Sequence, residues 1–545
     1  MTNDKVQSVN TLLDTEYAGL DDKETIARLK RHVLRLQDSE AHYYATKMTS
    51  NKTCCGGHGR IPVHGISAAQ AKEQLVQITE LDNRPRLNTS SYVNVVLEKE
   101  EQEVAVLGLA VNLADGSVYP SSTELQDNTI DAVAKLWNCP KPEESTGHFA
   151  GSGTVGSTEA CLLALLAHKM RWRLWYQERH GLTEDQVAGV IPNLIISTTF
   201  QACWEKAFRY FDVKPNFVYP VLNKLAINPE DIRDKINDKT MMVVGIMGNH
   251  YSGTYDPVWD MDKVILEVNE QKGFQVGLHV DAASGGFIAP FQDGLQEWDF
   301  RLKSVLSISA SGHKFGESAC GTGWVIFRER KDLSEHIEVE VTYLGGTSFS
   351  STLNFSRPAT GLYVQAYKFL RLGMSGYKQK VANQLHVTSV FRESMRAYKW
   401  INGEPLFQIL DADKDMGLPV CSLRVNPKLD VAFTDFTIQH AVGEFHWYVG
   451  AYHLSFEDFG NGGVESAFCS DEPKSASMFR VVFKSNLTLS LCEDLTSRID
   501  EVITHLKEEA ESKKPEVFNQ GFQGFKSFKE VLKNKATKTN FHSAC

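Results

Sequence analysis

A lysine directly follows an apolar segment in the middle of the chain. The segment SVLSIS spans residues 304–309, and Ser311, His313 and Lys314 come just after it. Because burying an ammonium group is costly, such a lysine is either paired with a carboxylate or used as an amine nucleophile. The second use includes the Schiff-base lysine that holds pyridoxal 5′-phosphate (PLP). This segment alone leaves both interpretations open.

An aspartate at the end of a second apolar segment decides between them. Asp281 lies in HVDAASGGF (279–287), 33 residues before Lys314. PLP chemistry requires a carboxylate against the pyridine nitrogen, because that nitrogen must stay protonated for the ring to withdraw electrons. One strand–crossover–strand unit fits between the two residues. Asp281 alone could be an ordinary helix cap, but together with Lys314 it indicates a PLP site.

A third segment supplies hydroxyl groups at the start of a helix. GSGTVGSTEA (151–160) opens a long amphipathic segment that reaches residue 181. Backbone N–H groups and hydroxyls at a helix N-terminus bind phosphate. Ser157 and Thr158 are therefore candidate phosphate ligands, together with Ser311 and His313. The same residues also suit a helix N-cap, and the two roles are compatible.

Strand and helix patterns alternate around these segments. NLIIST (193–198), MMVVGIMG (241–248) and VGLHVDAA (276–283) are unbroken apolar runs, as expected of strands buried on both faces. The alternation predicts an α/β fold with a mostly parallel sheet. Residues 361–400 have a helical pattern, and residues 418–490 mix short strands with helices, which indicates a smaller second α/β domain.

These patterns predict four parts of the chain. They are an N-terminal helical segment and linker (1–95), a large PLP-binding domain (96–360), a small C-terminal domain (361–507) and a mobile basic tail (508–545).

Composition excludes several classes of protein. Lys and Arg number 57 against 68 Asp and Glu among 545 residues, so the net charge is −11, and no basic block suggests nucleic-acid binding. No apolar run is long enough to span a membrane, and no signal core begins the chain, which predicts a cytoplasmic protein. Cys54, Cys55 and His58 fit no zinc pattern, so no metal site is predicted.

Several segments in order resemble one known family. GSTEACLLALLAHKMRWR, FQACWEKAFRYFDV, HVDAASGGFIAPF, SISASGHKFG and NFSRPA are similar to the glutamate decarboxylases of bacteria, plants and fungi, and the likeness covers roughly residues 75–490. The resemblance implies the type I PLP fold of aspartate aminotransferase, with a seven-stranded, mostly parallel sheet. It also implies decarboxylation of L-glutamate by a homodimer or larger homo-oligomer whose active site lies at the interface.

The resemblance also implies residue roles around the cofactor. Lys314 matches the Schiff-base lysine and Asp281 the partner of the pyridine nitrogen. Ala283 matches the small residue under the ring, and Gln201 the residue over its other face. The phosphate ligands correspond to Ser157, Thr158, Ser311 and His313, with Ser356 contributed across the dimer interface.

Roles around the substrate follow in the same way. Arg480 matches the arginine that holds the α-carboxylate. Tyr343 matches the mobile-loop tyrosine implicated in protonating the substrate carbon. Ser91 and Asp115 match the residues that contact the side-chain carboxylate, and Tyr92 replaces a family phenylalanine beside them. A carboxyl group facing a substrate carboxylate requires a shared proton.

Three departures from the family pattern weaken strict specificity for glutamate, and one of them is the loop GGTSFSS (345–351), which differs from the usual family sequence. His250 stands where the family usually has threonine, and it could contact the cofactor or add a positive charge near the substrate. Glu205 stands where bacterial members have histidine. Aspartate, cysteine sulfinate or a non-acidic amino acid such as methionine therefore remain alternative substrates, and a regulatory protein without activity is an alternative class. Plant members bind calmodulin through their tails; residues 522–538 could suit its groove, but a solvated tail is favoured.

Overall fold

The computed structural model of the chain describes residues 65–80, 82–142, 147–333, 337–341, 348–411 and 416–512. The chain divides into two compact units, one up to Asn83 and one from Arg84 onward. In the first unit, helix α1 (Ala68–Thr79) begins at a capping box formed by Ser67 and Gln70. Most of the predicted N-terminal segment and basic tail lies outside the described residues, so the predicted four-part division stays a prediction.

The second unit contains two main sheets and the helices that cover them. Its longer helices are α2 (Lys99–Gly108), α3 (Pro120–Leu136), α4 (Ser157–His180), α6 (Ala202–Tyr210), α8 (Val258–Lys272), α10 (Thr360–Ala397), α11 (Asp435–Gly443) and α12 (Leu489–Glu511). Three short helices are α5 (Glu184–Ala188), α7 (Glu230–Arg233) and α9 (Arg330–Leu333). No helix in the described part of the chain is long and apolar enough to cross a bilayer.

The large sheet has seven strands in the order β1-β7-β6-β5-β4-β2-β3. In chain order they are β1 (Gly151–Thr154), β2 (Asn193–Ser197), β3 (Lys214–Val218), β4 (Thr240–Ile246), β5 (Gly277–Asp281), β6 (Val305–Ser311) and β7 (Gly323–Phe327). Only β7 runs antiparallel to its neighbours. Every residue of β4 and β6 is buried, as in sheets covered on both faces. The predicted α/β fold with a mostly parallel seven-stranded sheet is confirmed.

A second sheet lies in the C-terminal part of this unit. It is antiparallel, with the order β10-β11-β15-β12. Its strands are β10 (Phe407–Ile409), β11 (Val420–Val425), β12 (Gly450–His453) and β15 (Ser477–Val482). Two-stranded ribbons are formed by β8 (Val339–Val341) with β9 (Ser348–Ser350) and by β13 (Ser455–Asp458) with β14 (Val464–Ala467).

Helix α10 is broken in its interior by one glycine. Gly373 has φ 58° and ψ −176°, a backbone conformation that is open almost only to glycine. It is exposed, and an added Cβ there would meet no atom within 4 Å. The helix therefore consists of two straight pieces joined by a backbone break.

A buried ion pair joins α2 to the first piece of α10. Lys368 Nζ lies 2.8 Å from Glu101 Oε2, and the two side chains are 2% and 0% exposed. Glu101 also accepts a hydrogen bond from the backbone N–H of Glu98, which closes the capping box of α2. Glu317 lies 4.0 Å from Lys368 and also pairs with Lys380. The pair therefore fixes the position of α2 along α10.

Removing one member of this pair should destabilise the protein strongly. Lys368→Met leaves the Glu101 carboxylate buried without its main partner, and we expect a loss of roughly 3–5 kcal/mol in the free energy of unfolding. Urea denaturation followed by circular dichroism measures this loss. The double variant Glu101→Leu/Lys368→Met should recover the wild-type free energy of unfolding to within about 1 kcal/mol. The remaining deficit is the contribution of the lost helix cap. A double variant as unstable as the single one would contradict this account.

Candidate active site

Lys314 lies just beyond the end of β6 and is 1% exposed. Its Nζ donates a hydrogen bond to Ser284 Oγ at 3.3 Å and lies 5.3 Å from the centre of the Tyr92 ring. Within the described ranges, no carboxylate oxygen lies at ion-pair distance from this amine. A buried amine held by neutral groups suits the second use considered from the sequence, that of an amine nucleophile.

Asp281 ends β5, the strand next to β6, where it is paired in register with Ser309. Its carboxylate accepts hydrogen bonds from Trp204 Nε1 at 2.8 Å and from the backbone N–H of Ala283 at 3.1 Å. Burial raises the pKa of Asp281, while these donors and the charge of Lys314 oppose the rise. Because parallel strands end at the same edge of the sheet, Asp281 and Lys314 face one crevice.

The wall behind Asp281 is neutral. The Cys161 and Cys203 sulfurs and an Asp281 oxygen lie within 4.8 Å of one another. Burial raises the pKa of the Cys161 thiol well above its usual value, so it stays protonated. Burial lowers the pKa of His279 to about 3, and its Nε2 lies 3.1 Å from Ser309 Oγ. Among the described residues, the side chains of Cys161 and His279 therefore place no charge against Asp281.

The predicted phosphate ligands meet at the N-terminus of α4. Ser157 begins the helix after Gly156, whose φ of 90° turns the chain and whose missing side chain leaves room for the His313 ring. His313 Nδ1 lies 2.8 Å from the carbonyl oxygen of Thr322, and burial lowers the pKa of the imidazole to about 4. Thr158 lies in the first turn. Neutral donors and a helix N-terminus suit an anion.

Ser311 provides a direct test of whether the cofactor fits. Its hydroxyl is fully buried beside this helix N-terminus and has no hydrogen-bond partner among the described residues. A buried polar group without a partner is unfavourable unless a ligand supplies one. A phosphate oxygen would supply it, so the residues present fit PLP, with Lys314 and Asp281 at its reactive and pyridine ends.

Two further predicted residues lie at the faces of this crevice. Ala283 is buried, and its carbonyl accepts a hydrogen bond from the Ser311 N–H at 3.1 Å. Gln201 precedes α6 and is 7% exposed. It lines a cavity of about 450 Å³ together with His250 and Tyr452.

Arg480 lies in β15 of the second sheet and is completely buried. Its guanidinium donates to Tyr92 Oη at 2.8 Å, to the Ser90 carbonyl at 2.9 Å and to Tyr452 Oη at 3.0 Å, and it contacts His250 Nε2 at 3.0 Å. In the part of the chain that the structure describes, no carboxylate pairs with it. A buried guanidinium held only by neutral groups is a ready binding site for a carboxylate.

Ser91, Asp115 and Ser356 form no hydrogen bond with Lys314, Asp281 or Arg480 among the described residues. The Ser91 hydroxyl accepts from the backbone N–H of Val93 at 3.2 Å, and Asp115 accepts from Ser117 at 3.2 Å. Asn112, three residues before Asp115, donates to the exposed Ser356 at 3.4 Å. No hydrogen bond among the described residues joins Asp115 or Ser356 to Lys314 or Arg480. Tyr343 lies outside the described residues.

The segment before Ser356 is tied to the phosphate site by Glu159. One carboxylate oxygen of Glu159 accepts from the Val155 N–H at 2.7 Å, and the other accepts from the Asn354 N–H at 3.0 Å. This side chain therefore connects the loop before α4 to the segment that carries Ser356.

Sequence reasoning missed four contacts of the site. Trp204 bonds Asp281, Ser284 bonds Lys314, and Ser90 and Tyr452 bond Arg480. Trp204 and Ser284 lie inside segments that carry the family resemblance, FQACWEK and HVDAASGGF, so their position was a usable signal. Tyr452 lies in a short strand without any such signal.

Comparisons with known proteins agree with this geometry. The profile described as pyridoxal-dependent decarboxylase conserved domain matches residues 104–420. The chain is 36% identical to a glutamate decarboxylase of Lactococcus lactis over 382 residues, which is 70% of this chain and 78% of the relative. It is 32% identical to glutamate decarboxylase 1 of Arabidopsis thaliana over 449 residues, 82% of this chain and 83% of the relative.

A solved structure extends the likeness to three dimensions. The glutamate decarboxylase of Lactobacillus brevis superposes with a TM-score of 0.72 at 30% identity, covering 82% of this chain and 94% of that one. Sequence, fold and the arrangement of Lys314, Asp281 and the phosphate ligands agree, and the chain belongs to the pyridoxal-dependent decarboxylases, in the glutamate decarboxylase family.

Proposed function

We propose that this protein decarboxylates L-glutamate to 4-aminobutanoate and CO₂ with PLP as cofactor. The observation that carries the proposal is a pair of buried cations, Lys314 and Arg480, that both face Tyr92 and have no carboxylate partner among the described residues. One suits a Schiff base, and the other suits the α-carboxylate of an amino acid. The relatives named glutamate decarboxylase supply the substrate.

Each residue has a definite task in this proposal. Bound PLP supplies the electron sink that makes loss of CO₂ feasible. Lys314 holds the cofactor, and the hydroxyls of Ser157, Thr158 and Ser311 with His313 bind its phosphate. Asp281 keeps the proton on the pyridine nitrogen, Ala283 and Gln201 enclose the ring, and Arg480 orients the α-carboxylate. Tyr343 is proposed to return a proton to the substrate carbon.

We further propose a homodimer in which two protomers share each site. Large apolar side chains on α2 and on the first piece of α10 are strongly exposed, among them Leu107 at 66% and Leu370 at 88%. Exposed apolar side chains on neighbouring helices are typical of an interface. Among the described residues, neither Asp115 nor Ser356 forms a hydrogen bond with Lys314 or Arg480 of its own chain. In a dimer, the segments that carry these two residues can serve the partner's crevice, with Asp115 at the substrate side-chain carboxylate and Ser356 at the phosphate.

The cytoplasmic location stays a prediction, and so does the preference for a solvated tail over one that binds calmodulin. The segment considered for calmodulin lies outside the described residues.

The first test is a substrate panel with a lysine variant. Purified protein with PLP should release CO₂ from L-glutamate faster than from aspartate, cysteine sulfinate or methionine, and Lys314→Ala should release none. The variant should keep its thermal unfolding temperature without PLP, which controls for misfolding. Another amino acid that exceeds glutamate tenfold, about 1.4 kcal/mol in the barrier, would reject glutamate as substrate. Release of CO₂ by Lys314→Ala would reject the site, and no release from any amino acid would favour a regulatory protein.

A second test concerns Asp281. A neutral amide cannot hold the proton on the pyridine nitrogen, so Asp281→Asn should lower kcat by about 100-fold or more while KM changes little. Cys203→Ala removes a buried side chain at the same wall and serves as a packing control. If kcat in Asp281→Asn stays within twofold of wild type, Asp281 is not the pyridine partner.

A third test distinguishes a shared site from a site within one chain. Protomers carrying Lys314→Ala are mixed with protomers carrying Asp115→Ala, unfolded and reassembled, and assayed at glutamate concentrations far below KM. If each site uses both protomers, half of the dimers are mixed and one of their two sites is intact, so about a quarter of wild-type activity returns. Activity no greater than the mean of the two separate variants would contradict the shared site.

A further inference from the structure

Tyr92 and His250 both differ from the family pattern, and both contact Arg480. Tyr92 stands in place of phenylalanine, and its hydroxyl accepts from Arg480 Nη1 at 2.8 Å and donates to the His250 carbonyl at 3.1 Å. His250 stands in place of threonine, and its Nε2 lies 3.0 Å from Arg480 Nη2. The three residues form a closed cycle of hydrogen bonds, which a phenylalanine at position 92 could not complete because it has no hydroxyl.

The chemistry of arginine determines the protonation state of the His250 imidazole. A guanidinium has five N–H donors and no acceptor, and it stays protonated in proteins. The Nε2 atom of His250 must therefore accept the hydrogen bond. In that case, the imidazole is neutral and carries its proton on Nδ1. A neutral His250 would add no positive charge beside the substrate.

The surroundings agree with a neutral imidazole. The rings of Tyr92, Tyr251 and Tyr452 lie 5.7–5.8 Å from the His250 ring, and the Arg480 guanidinium contacts it directly. Lys314 lies on the Tyr92 ring, and Glu205 lines the cavity that His250 also lines. A protonated His250 would place two cations 3.0 Å apart in a buried site.

The donor nitrogens of the Arg480 guanidinium differ in how many acceptors they have. Nη2 has three acceptors around it, namely His250, Tyr452 and the Ser90 carbonyl. The Nε–H is buried and has no partner among the described residues. The acceptors around Nη2 therefore fix the orientation of the guanidinium plane. That orientation determines which donor remains available to a ligand.

We propose that His250 is a positioning residue that, as a neutral acceptor, turns Arg480 so that its unpartnered donors face the substrate α-carboxylate. This rests on the proposed function only for the identity of the carboxylate. The geometry between His250 and Arg480 is independent of the substrate. Because the hydrogen bond is present before substrate arrives, His250 acts on binding more than on the chemical step.

The first measurement reads the protonation state of His250 directly. Nitrogen-15 NMR of the histidine-labelled holoenzyme at neutral pH should show one ring with the proton on Nδ1, assigned by its loss in His250→Gln. In Arg480→Met, this ring should lose its fixed tautomer. A His250 that is protonated, or that carries its proton on Nε2, would overturn the proposal even if the enzyme decarboxylates glutamate.

The second measurement separates binding from chemistry. His250→Phe removes a hydrogen bond to a charged group, so KM for glutamate should rise about tenfold, with kcat within twofold. His250→Gln offers a neutral acceptor at similar reach and should restore KM to within about threefold of wild type. Tyr251→Phe, which alters the adjacent residue at the same depth, should leave KM unchanged. A fall in kcat with constant KM, or equal effects of Phe and Gln, would overturn the proposal.

A third readout excludes a role at the cofactor. The dissociation constant of PLP from the His250→Phe protein should stay within about twofold of wild type, because the lost hydrogen bond goes to Arg480. A tenfold weaker PLP affinity would instead assign His250 to the cofactor. If wild-type protein releases no CO₂ from glutamate while the NMR result holds, the proposed function fails and the positioning of Arg480 stands.

Discussion

Lys314 and Arg480 are buried beside the same aromatic ring, and this arrangement determines which groups can surround them in the site. The Lys314 amine and the Arg480 guanidinium lie 5.3 Å and 4.6 Å from the centre of the Tyr92 ring. The electron-rich face of a tyrosine attracts cations, but it cannot replace the solvation that both groups lose. Neutral oxygens and an imidazole nitrogen supply the remaining contacts. The protein thereby keeps both charges available for ligands and avoids neutralising them with its own carboxylates.

The topology brings these groups together from distant parts of the chain. Lys314 and Asp281 come from the ends of adjacent parallel strands β6 and β5, and the phosphate ligands come from the start of α4. Arg480 comes from the second sheet, where β15 is a central strand between β11 and β12. A central strand is held on both sides, so the arginine has little freedom to move towards an alternative partner.

Much of the large sheet and half of the site could be predicted from sequence. Unbroken apolar runs identify β2, β4 and β5 within two residues at each end, because strands buried on both faces permit few polar residues. Lys314 and Asp281 were identifiable because a charged residue after such a strand is unusual. The contact between His250 and Arg480 was not, because 230 residues separate them and no local pattern links two sheets. The distance of Asp115 from Lys314 within one chain also depends on tertiary structure alone.

The break in α10 bears on which substitutions the protein can accept during evolution. Exposed positions usually tolerate most side chains, since neither packing nor burial restricts them. Gly373 is exposed and has open space around it, yet its backbone conformation excludes residues with a Cβ at a cost of about 1–3 kcal/mol. A prediction of mutational tolerance from solvent exposure would therefore overestimate how well this position accepts substitutions. The constraint comes from the main-chain dihedral angles, which no measure of side-chain environment includes.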